Sequence, residues 1–279
     1  MKYRVVIDSC GDLTEELKND ERFKTASLSI DIDGYNIIDD ETFDQADFLR
    51  RVAESPNCPK SSCPSPDAFM ELFDCGAQNV YVVTLSSQLS GSYNSAVLAK
   101  QLYLEEHENV NIHVVDSKSA SIGETLLAYK IKECEEAGLE FEQVVEEVEK
   151  YRDEQNTYFV LESLEALRKN GRLSNLKAFV VNKLNIKPVM GSTDEGAICQ
   201  LGQGRGINKA LDKMIDIAIS KAKNPKNMTI AVSHCNCKKR GEYVKNELIR
   251  KGGFKEVFLV DTAGISSLYA SDGGIILAV

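Results

Sequence analysis

Short apolar segments alternate with amphipathic segments along almost the whole chain. In the first half, three short, β-branched segments are expected to be buried strands, and longer stretches with helical spacing follow them. This alternation is typical of βαβ units around a mainly parallel sheet, so it predicts an N-terminal three-layer α/β/α domain. The strand-like segments are residues 3–7, 80–84 and 112–115, and the helix-like ones are 67–73, 92–104, 119–137 and 141–154.

The second half mixes strand-like and helix-like segments less regularly. Turn residues at 192–196 predict a hairpin between two of its strands. The pattern predicts a C-terminal α+β domain with a mixed sheet, covering residues 156–279 after an N-terminal domain over residues 1–155. The predicted strands are residues 157–161, 186–190, 197–201, 229–233, 257–260 and 275–279, and the predicted helices are 164–168, 176–184, 207–222 and 238–250.

Charge and hydropathy narrow the classes of function. Asp and Glu number 43 against 33 Lys and Arg, a formal charge of −10, which repels a polyphosphate backbone and makes nucleic-acid binding unfavourable. The chain shows no signal-peptide pattern and no apolar run near the roughly 18 residues of a membrane span. We therefore expect a cytoplasmic protein. Transient contact with a membrane surface is compatible with this expectation.

Eight cysteines are scattered along the chain. Without a secretion signal they are expected to be free thiols rather than a disulfide framework. The run His234-Cys235-Asn236-Cys237 contains metal-ligand residue types. It lacks a second pair at the spacing of a structural zinc site, so we expect neither a metal nor another cofactor.

Small hydroxyl and acidic residues follow three of the predicted strands, at Asp8-Ser9, Ser86-Ser87 and Asp116-Ser117. Ligands of open α/β sheets bind at these strand ends, where helix N-termini favour an anion. The loop containing Ser90 and Gly91 suits a carboxylate or phosphate oxygen. The pairs at Asp8 and Asp116 are expected mainly to cap helices or order loops.

A second serine-rich loop, residues 60–66, precedes a predicted helix. It offers Ser61 and Ser62 to the same anion, and Cys63 is expected to line this loop. On its own this loop is only a helix-entry turn, with prolines that fix the entry.

Six motifs in order along the chain resemble those of the DegV family of fatty-acid-binding proteins. The resemblance covers essentially the whole sequence, and the serine motif that begins at Ser86 is its most specific part. One departure is Tyr269, which stands where the family has a histidine. The motifs are residues 7–13, 60–65, 86–96, 116–123, 164–173 and 186–190.

The resemblance implies a carrier that performs no chemistry alone and binds a long-chain fatty acid between two domains. Ser61 and Ser90 would bind the carboxylate, supported by Ser62 and Gly91. Arg172 and Tyr269 would belong to the polar network near the head group. The implied partner is a fatty acid kinase, which Arg205 would face.

Two other functions compete with this interpretation. A serine hydrolase that cleaves small lipid esters would use the strand-end serines, but the chain lacks the Gly-x-Ser-x-Gly elbow, and His234 is the best of only three histidines as a base. A nucleotide-binding enzyme would use the glycine-rich run 202–206. That run matches neither the dinucleotide nor the P-loop pattern, and a glycine-rich turn entering a helix explains it better.

Overall fold

The computed structural model describes residues 1–173 and 185–279. Its strands are β1 (Tyr3–Asp8), β2 (Phe23–Ala26), β3 (Ser29–Ile32), β4 (Tyr35–Ile38), β5 (Lys60–Ser62), β6 (Asn79–Thr84), β7 (Asn111–Asp116), β8 (Thr157–Val160), β9 (Ile186–Ser192), β10 (Ile198–Arg205), β11 (Thr229–His234), β12 (Glu256–Asp261) and β13 (Ile275–Ala278). Its helices are α1 (Glu15–Lys18), α2 (Gln45–Glu54), α3 (Pro66–Phe73), α4 (Ser92–Glu106), α5 (Ile122–Glu136), α6 (Phe141–Glu154), α7 (Glu165–Lys169), α8 (Ile207–Lys221), α9 (Lys238–Gly252) and α10 (Gly264–Ala270), with a 3-10 turn at Pro225–Asn227. Within the described ranges no helix is long and apolar enough to cross a membrane.

A four-stranded sheet with order β2-β1-β6-β7 forms the centre of the first half, and all its pairs are parallel. Its central strands are buried on both faces, which is why they read as continuous apolar runs. One face packs against α3 and α4, and the other packs against α5 and α6. The predicted three-layer α/β/α arrangement is confirmed.

A separate six-stranded sheet with order β10-β9-β8-β13-β11-β12 forms the second half. Only β11 and β12 pair in parallel, and the other pairs are antiparallel. Alternate side chains such as Tyr158 and Val160 pack under α8 and α9. Their neighbours, such as Phe159 and Ile276, face the first half of the chain. The predicted mixed sheet, including the hairpin between β9 and β10, is confirmed.

The structure corrects the start of one predicted helix, and another predicted helix cannot be compared with it. The helix predicted over residues 119–137 begins only at Ile122, because Ser119 to Ser121 form a loop in which Ser121 has a φ of +60°. The helix predicted over residues 176–184 lies outside the described residues. The domain boundary after residue 155 stays a prediction.

The sequence pattern missed a small antiparallel sheet with order β4-β3-β5. Its strands have only three or four residues each, too few for the alternation of polar and apolar side chains to be recognised. The sheet presents Ser61 on its edge strand β5, opposite Ile30. It packs against α2 and α10 in one apolar cluster.

The sequence pattern also missed helix α10. This helix belongs to the second half by sequence, but residues of the first half bind its N-terminus. Asp39 accepts hydrogen bonds from the backbone N–H groups of Gly264 (2.7 Å) and Ile265 (2.9 Å). Asp12 accepts one from the N–H of Ala263 (2.7 Å). Since a helix start exposes unpaired N–H groups and favours negative charge, these carboxylates fix the orientation of α10.

We expect Asp39→Ala to lower the free energy of unfolding by about 1 to 3 kcal/mol, because two buried N–H groups lose their acceptor. The matched control is Asp40→Ala. Asp40 bonds only within its own turn, to Thr42, so its loss should cost less than about 1 kcal/mol. Urea unfolding monitored by circular dichroism measures both, and equal losses would contradict the assigned role of Asp39.

Candidate functional site

A cavity lies between the six-stranded sheet and the carboxyl ends of the parallel strands. The sheet forms the floor, the loops after β1, β6 and β7 form the roof, and α10 and the hairpin of β9 and β10 form the sides. Apolar side chains make up most of the lining. Among the residues that line these walls are Thr157, Phe159, Leu161, Ile276, Cys10, Leu85, Ser119, Ala120, Ile265, Ala270, Ser192 and Ile198.

One end of the cavity is polar and includes Ser61, Ser90, Arg172 and Tyr269. The hydroxyls of Ser61 and Tyr269 share a hydrogen bond of 2.9 Å. The guanidinium carbon of Arg172 lies 5.5 Å from the centre of the Tyr269 ring. Burial raises the pKa of Tyr269, although the hydrogen bond with Ser61 and the charge of Arg172 oppose the rise. The phenol is therefore a neutral group with a hydrogen to donate.

Backbone carbonyls orient the guanidinium of Arg172. Its Nε donates to the carbonyl of Leu89 (3.1 Å) and its Nη1 donates to that of Asn170 (2.6 Å). The remaining Nη2 has no acceptor among the residues that the structure describes, and Arg172 lines the cavity. A half-buried guanidinium held in this way suits an incoming carboxylate.

The loop after β6 presents Ser90. The N–H groups of Leu89 and Ser90 both donate to the carbonyl of Ser86, so this loop is a compact turn. The Ser90 hydroxyl accepts a hydrogen bond from the N–H of Ser92 (3.2 Å) at the start of α4. Ser90 therefore holds the entry of a 15-residue helix while its side chain borders the cavity.

The structure brings together four of the six residues predicted to bind the ligand. Ser62 and Gly91 are exposed and do not line the cavity, and their supporting role stays a prediction. Cys63 was expected to line the head-group loop, but its side chain is exposed and does not line the cavity. Cys10 lines it instead.

The predicted loop-ordering role of Asp8 and Asp116 is confirmed. Asp8 accepts hydrogen bonds from the N–H groups of Cys10 (3.1 Å) and Leu85 (2.9 Å), which ties two strand ends together. Asp116 accepts one from the N–H of Ser87 (3.0 Å). These carboxylates shape the roof of the cavity and do not line it.

Glu124 lies fully buried beside Asp8 and Cys10, and neither of its carboxylate oxygens has a hydrogen-bond partner in the described part of the chain. Burial, and next the charge of Asp8, raise the pKa of Glu124 well above its usual value. Burial also raises the pKa of Asp8 to about 6.

None of the three histidines lines the cavity in the ranges that the structure describes. His234 Nδ1 lies 3.3 Å from Asp261 Oδ1, and the His113 ring contacts Glu149. No imidazole is therefore available to activate Ser61 or Ser90, and this counts against the hydrolase.

The glycine-rich run before α8 is structural. Gly204 belongs to β10, and a Cβ built on it would lie 2.3 Å from the backbone nitrogen of Ala210. Gly206 has a φ of +78° at the entry of the helix. The predicted glycine-rich turn is therefore corrected: residues 202–205 belong to β10 and only Gly206 stands at the entry of α8. The glycines allow α8 to pack closely on β10, and no nucleotide site is needed to explain them.

All eight cysteines lie in the described residues and are unpaired, as predicted. In the run from His234 to Cys237, Cys235 is fully buried and the Cys237 thiol lies 3.5 Å from the carbonyl of Gly274. These side chains do not form a group of three converging metal ligands.

Comparisons with known proteins bear on the whole chain. A family model described as "Uncharacterised protein, DegV family" matches residues 2–277. A DegV domain-containing protein of Streptococcus gordonii is 34% identical over 279 residues, which is 99% of this chain and 98% of that protein.

Two solved structures are similar over the full length. A DegV family protein from Ruminococcus gnavus, refined with vaccenic acid, is 51% identical with a TM-score of 0.97, covering 100% of this chain and 99% of that one. The Streptococcus pneumoniae Fatty Acid Kinase (Fak) B3 protein, loaded with linoleic acid, is 32% identical with a TM-score of 0.90, covering 100% and 99%.

We expect Glu124→Gln to flatten the dependence of stability on pH. A carboxyl whose pKa is raised in the folded state contributes stability below its unfolded pKa, and that stability is lost as the pH rises through the folded value. Between about pH 4.3, the pKa of an unperturbed glutamate, and the raised pKa of the folded state, the free energy of unfolding of the wild type should therefore fall more steeply than that of the variant, by up to about 1.4 kcal/mol per pH unit.

Urea unfolding at a series of pH values measures this difference. Asp39, whose pKa burial raises to about 6, titrates in both proteins and cancels from the comparison, whereas Asp8 and Asp12 interact with Glu124 and are part of the measured difference. Glu133→Gln, an exposed position on the same helix, is the matched control and should follow the wild type. Parallel curves for wild type and Glu124→Gln would show that Glu124 is not a buried neutral acid.

Proposed function

Because the chain belongs to the DegV family, we propose that it binds one long-chain fatty acid in the cavity between the two sheets. The carboxylate lies at the polar end, near Ser61, Ser90, Arg172 and Tyr269. The acyl chain extends over the apolar floor. In this role the protein is a carrier, and the fatty acid is its cargo rather than a substrate that it transforms.

The observation that carries the proposal is the division of the cavity into a polar end and an apolar body. Hydroxyls and one half-buried guanidinium converge at the polar end. They provide the charge-assisted hydrogen bonds that a carboxylate requires. Phe159, Leu161 and Ile276 supply the apolar surface that removes an acyl chain from water.

Two relatives whose structures contain a fatty acid support the same class of ligand. The Ruminococcus gnavus protein carries vaccenic acid and the Streptococcus pneumoniae protein carries linoleic acid. Both match this chain over its full length, with TM-scores of 0.97 and 0.90.

A fatty acid kinase is the proposed partner. The Streptococcus pneumoniae relative is named as a fatty acid kinase protein, and transfer of a phosphoryl group to the carboxylate requires the enzyme to reach the polar end. Arg205 is the proposed contact. It is exposed at the end of β10 and forms no ion pair with any residue described here.

We expect Ser90→Ala to weaken fatty-acid binding about ten- to hundredfold, because a hydrogen bond to a charged group contributes about 1.5 to 3 kcal/mol. Isothermal titration calorimetry on delipidated protein measures the affinity. Ser65→Ala is the matched control, since Ser65 caps α3 as Ser90 holds the entry of α4. Both variants lose a helix-start hydrogen bond, so unchanged affinity in Ser90→Ala would refute the carboxylate assignment.

We expect Arg205→Ala to bind fatty acid as the wild type does but to lose acyl-phosphate formation with the cognate kinase and ATP. The exposed side chain does not line the cavity, so its charge should affect the partner rather than the ligand. Arg50→Ala, an exposed arginine on α2, is the control for a general charge effect. Phosphorylation of Arg205→Ala at the wild-type rate would exclude Arg205 as the contact.

A further inference from the structure

Strand β4 forms an open edge of the small sheet. It pairs with β3, and no other strand in residues 1–173 and 185–279 pairs with it. Three of its four residues are exposed. Tyr35 and Ile38 leave 52% and 45% of their surface open to solvent. Large apolar side chains on an open strand edge are typical of a place where another chain can pair.

The register of the small sheet shows which backbone groups this edge offers. A two-residue turn with positive φ at residues 33–34 joins β3 to β4, so Ile32 and Tyr35 on either side of it form a hydrogen-bonded pair. Such pairs alternate with non-bonded pairs along an antiparallel ladder. The N–H and C=O groups of Asn36 and Ile38 therefore point away from β3 and can bond a further strand.

A groove runs beside this edge, with β4 on one wall and the entry and first turn of α2 on the other. The second wall includes Phe43, Asp44 and Phe48. A strand edge that faces a helix across a groove can accept an extended peptide, because the edge supplies main-chain hydrogen bonds and the walls contact alternate side chains. At about 13 Å, β4 can pair with about four or five extended residues.

Five carboxylates surround the groove. Asp40 and Asp44 line it, and Asp31, Asp33 and Glu41 lie on β3, in the turn to β4 and next to Asp40. In the part of the chain that the structure describes, the ion pairs of this region lie within α2 and include none of the five. Carboxylates without a cationic partner attract Lys and Arg side chains and repel an acidic segment.

We propose that this groove binds an extended, basic segment of a partner protein, which adds to β4 as a further strand. Hydrogen bonds to the backbone of Asn36 and Ile38 hold the segment, Tyr35 and Phe43 contact its apolar side chains, and the carboxylates select Lys and Arg. A second copy of this chain is a poor occupant, because its own β4 edge carries the same negative charge.

The position of the groove suggests what the partner gains from it. The small sheet has β4 at one edge and β5 at the other, two strand spacings or about 10 Å away. β5 presents Ser61 at the polar end of the cavity. A protein anchored on β4 is therefore held beside that end. The inference does not depend on which ligand the cavity binds.

A fluorescein-labelled peptide, acetyl-Lys-Val-Arg-Val-Lys-Val-amide, tests the proposal by fluorescence anisotropy. It should bind the wild type, more weakly at high salt, and a peptide with Glu in place of Lys and Arg should not bind. Methylation of every backbone nitrogen keeps the charge but removes the donors, so it should weaken binding about tenfold or more. No binding of the basic peptide, or equal binding of the methylated one, would overturn the strand addition.

Ile38→Pro removes one N–H from the open edge, where a strand tolerates proline because the group has no partner within the sheet. Affinity for the basic peptide should fall about tenfold or more, while circular dichroism and fatty-acid binding stay as in the wild type. Ile38→Val is the matched control, since it keeps the N–H and the branched side chain, and it should bind normally. Wild-type affinity in folded Ile38→Pro would overturn the assigned edge.

A double variant, Asp40→Asn with Asp44→Asn, provides a test that does not depend on a backbone change. Asn also caps a helix, so α2 should remain, but peptide affinity should fall about tenfold and depend less on salt. The matched control is Glu142→Gln with Glu146→Gln, two exposed positions on α6, which should bind as the wild type does. Equal losses in both double variants would overturn the charge selection. Self-association of the wild type that Ile38→Pro abolishes, without peptide binding, would assign the edge to a second copy instead.

Discussion

Two buried carboxylates, Asp12 and Asp39, hold the start of α10, and the cavity depends on this interaction. Both come from the first half of the chain, whereas α10 follows β12 of the second sheet. Since α10 supplies Tyr269 and part of one cavity wall, the carboxylates fix that wall against the parallel sheet. Gly264 is required at this point because a Cβ there would lie 2.5 Å from Asp39 Oδ1.

The carboxylates of Asp12 and Asp39 place negative charge in the protein interior. Burial raises the pKa values of Asp12 and Asp39 to about 6, against the lowering effect of their hydrogen bonds. The backbone N–H groups and the partial positive charge of the helix start offset part of the cost of burial. The result is a rigid wall, and a rigid wall allows Tyr269 and Ser61 to meet a carboxylate without first being ordered.

Much of the fold follows from local patterns in the sequence. Buried parallel strands produce continuous apolar runs, and the hairpin of β9 and β10 has a clear turn signal, so both sheets were predictable. The strands of the small sheet and α10 were not, because their stability comes from distant partners. Gln45 of α2, for example, donates to Asp261 and to Thr262 before α10.

The candidate site, like the fold, was predictable from the sequence only in part. Ser61 and Ser90 were found through their loops, and Arg172 and Tyr269 through the family resemblance. The cavity walls were not foreseen, because residues far apart in sequence form them: Ser119 and Thr157, which bond each other, are 38 residues apart. The most direct test of the central claim is mass spectrometry of the lipids extracted from the purified protein, quantified per chain. The account predicts about one long-chain fatty acid per protein molecule, and protein that contains no fatty acid, or a nucleotide in its place, would contradict it.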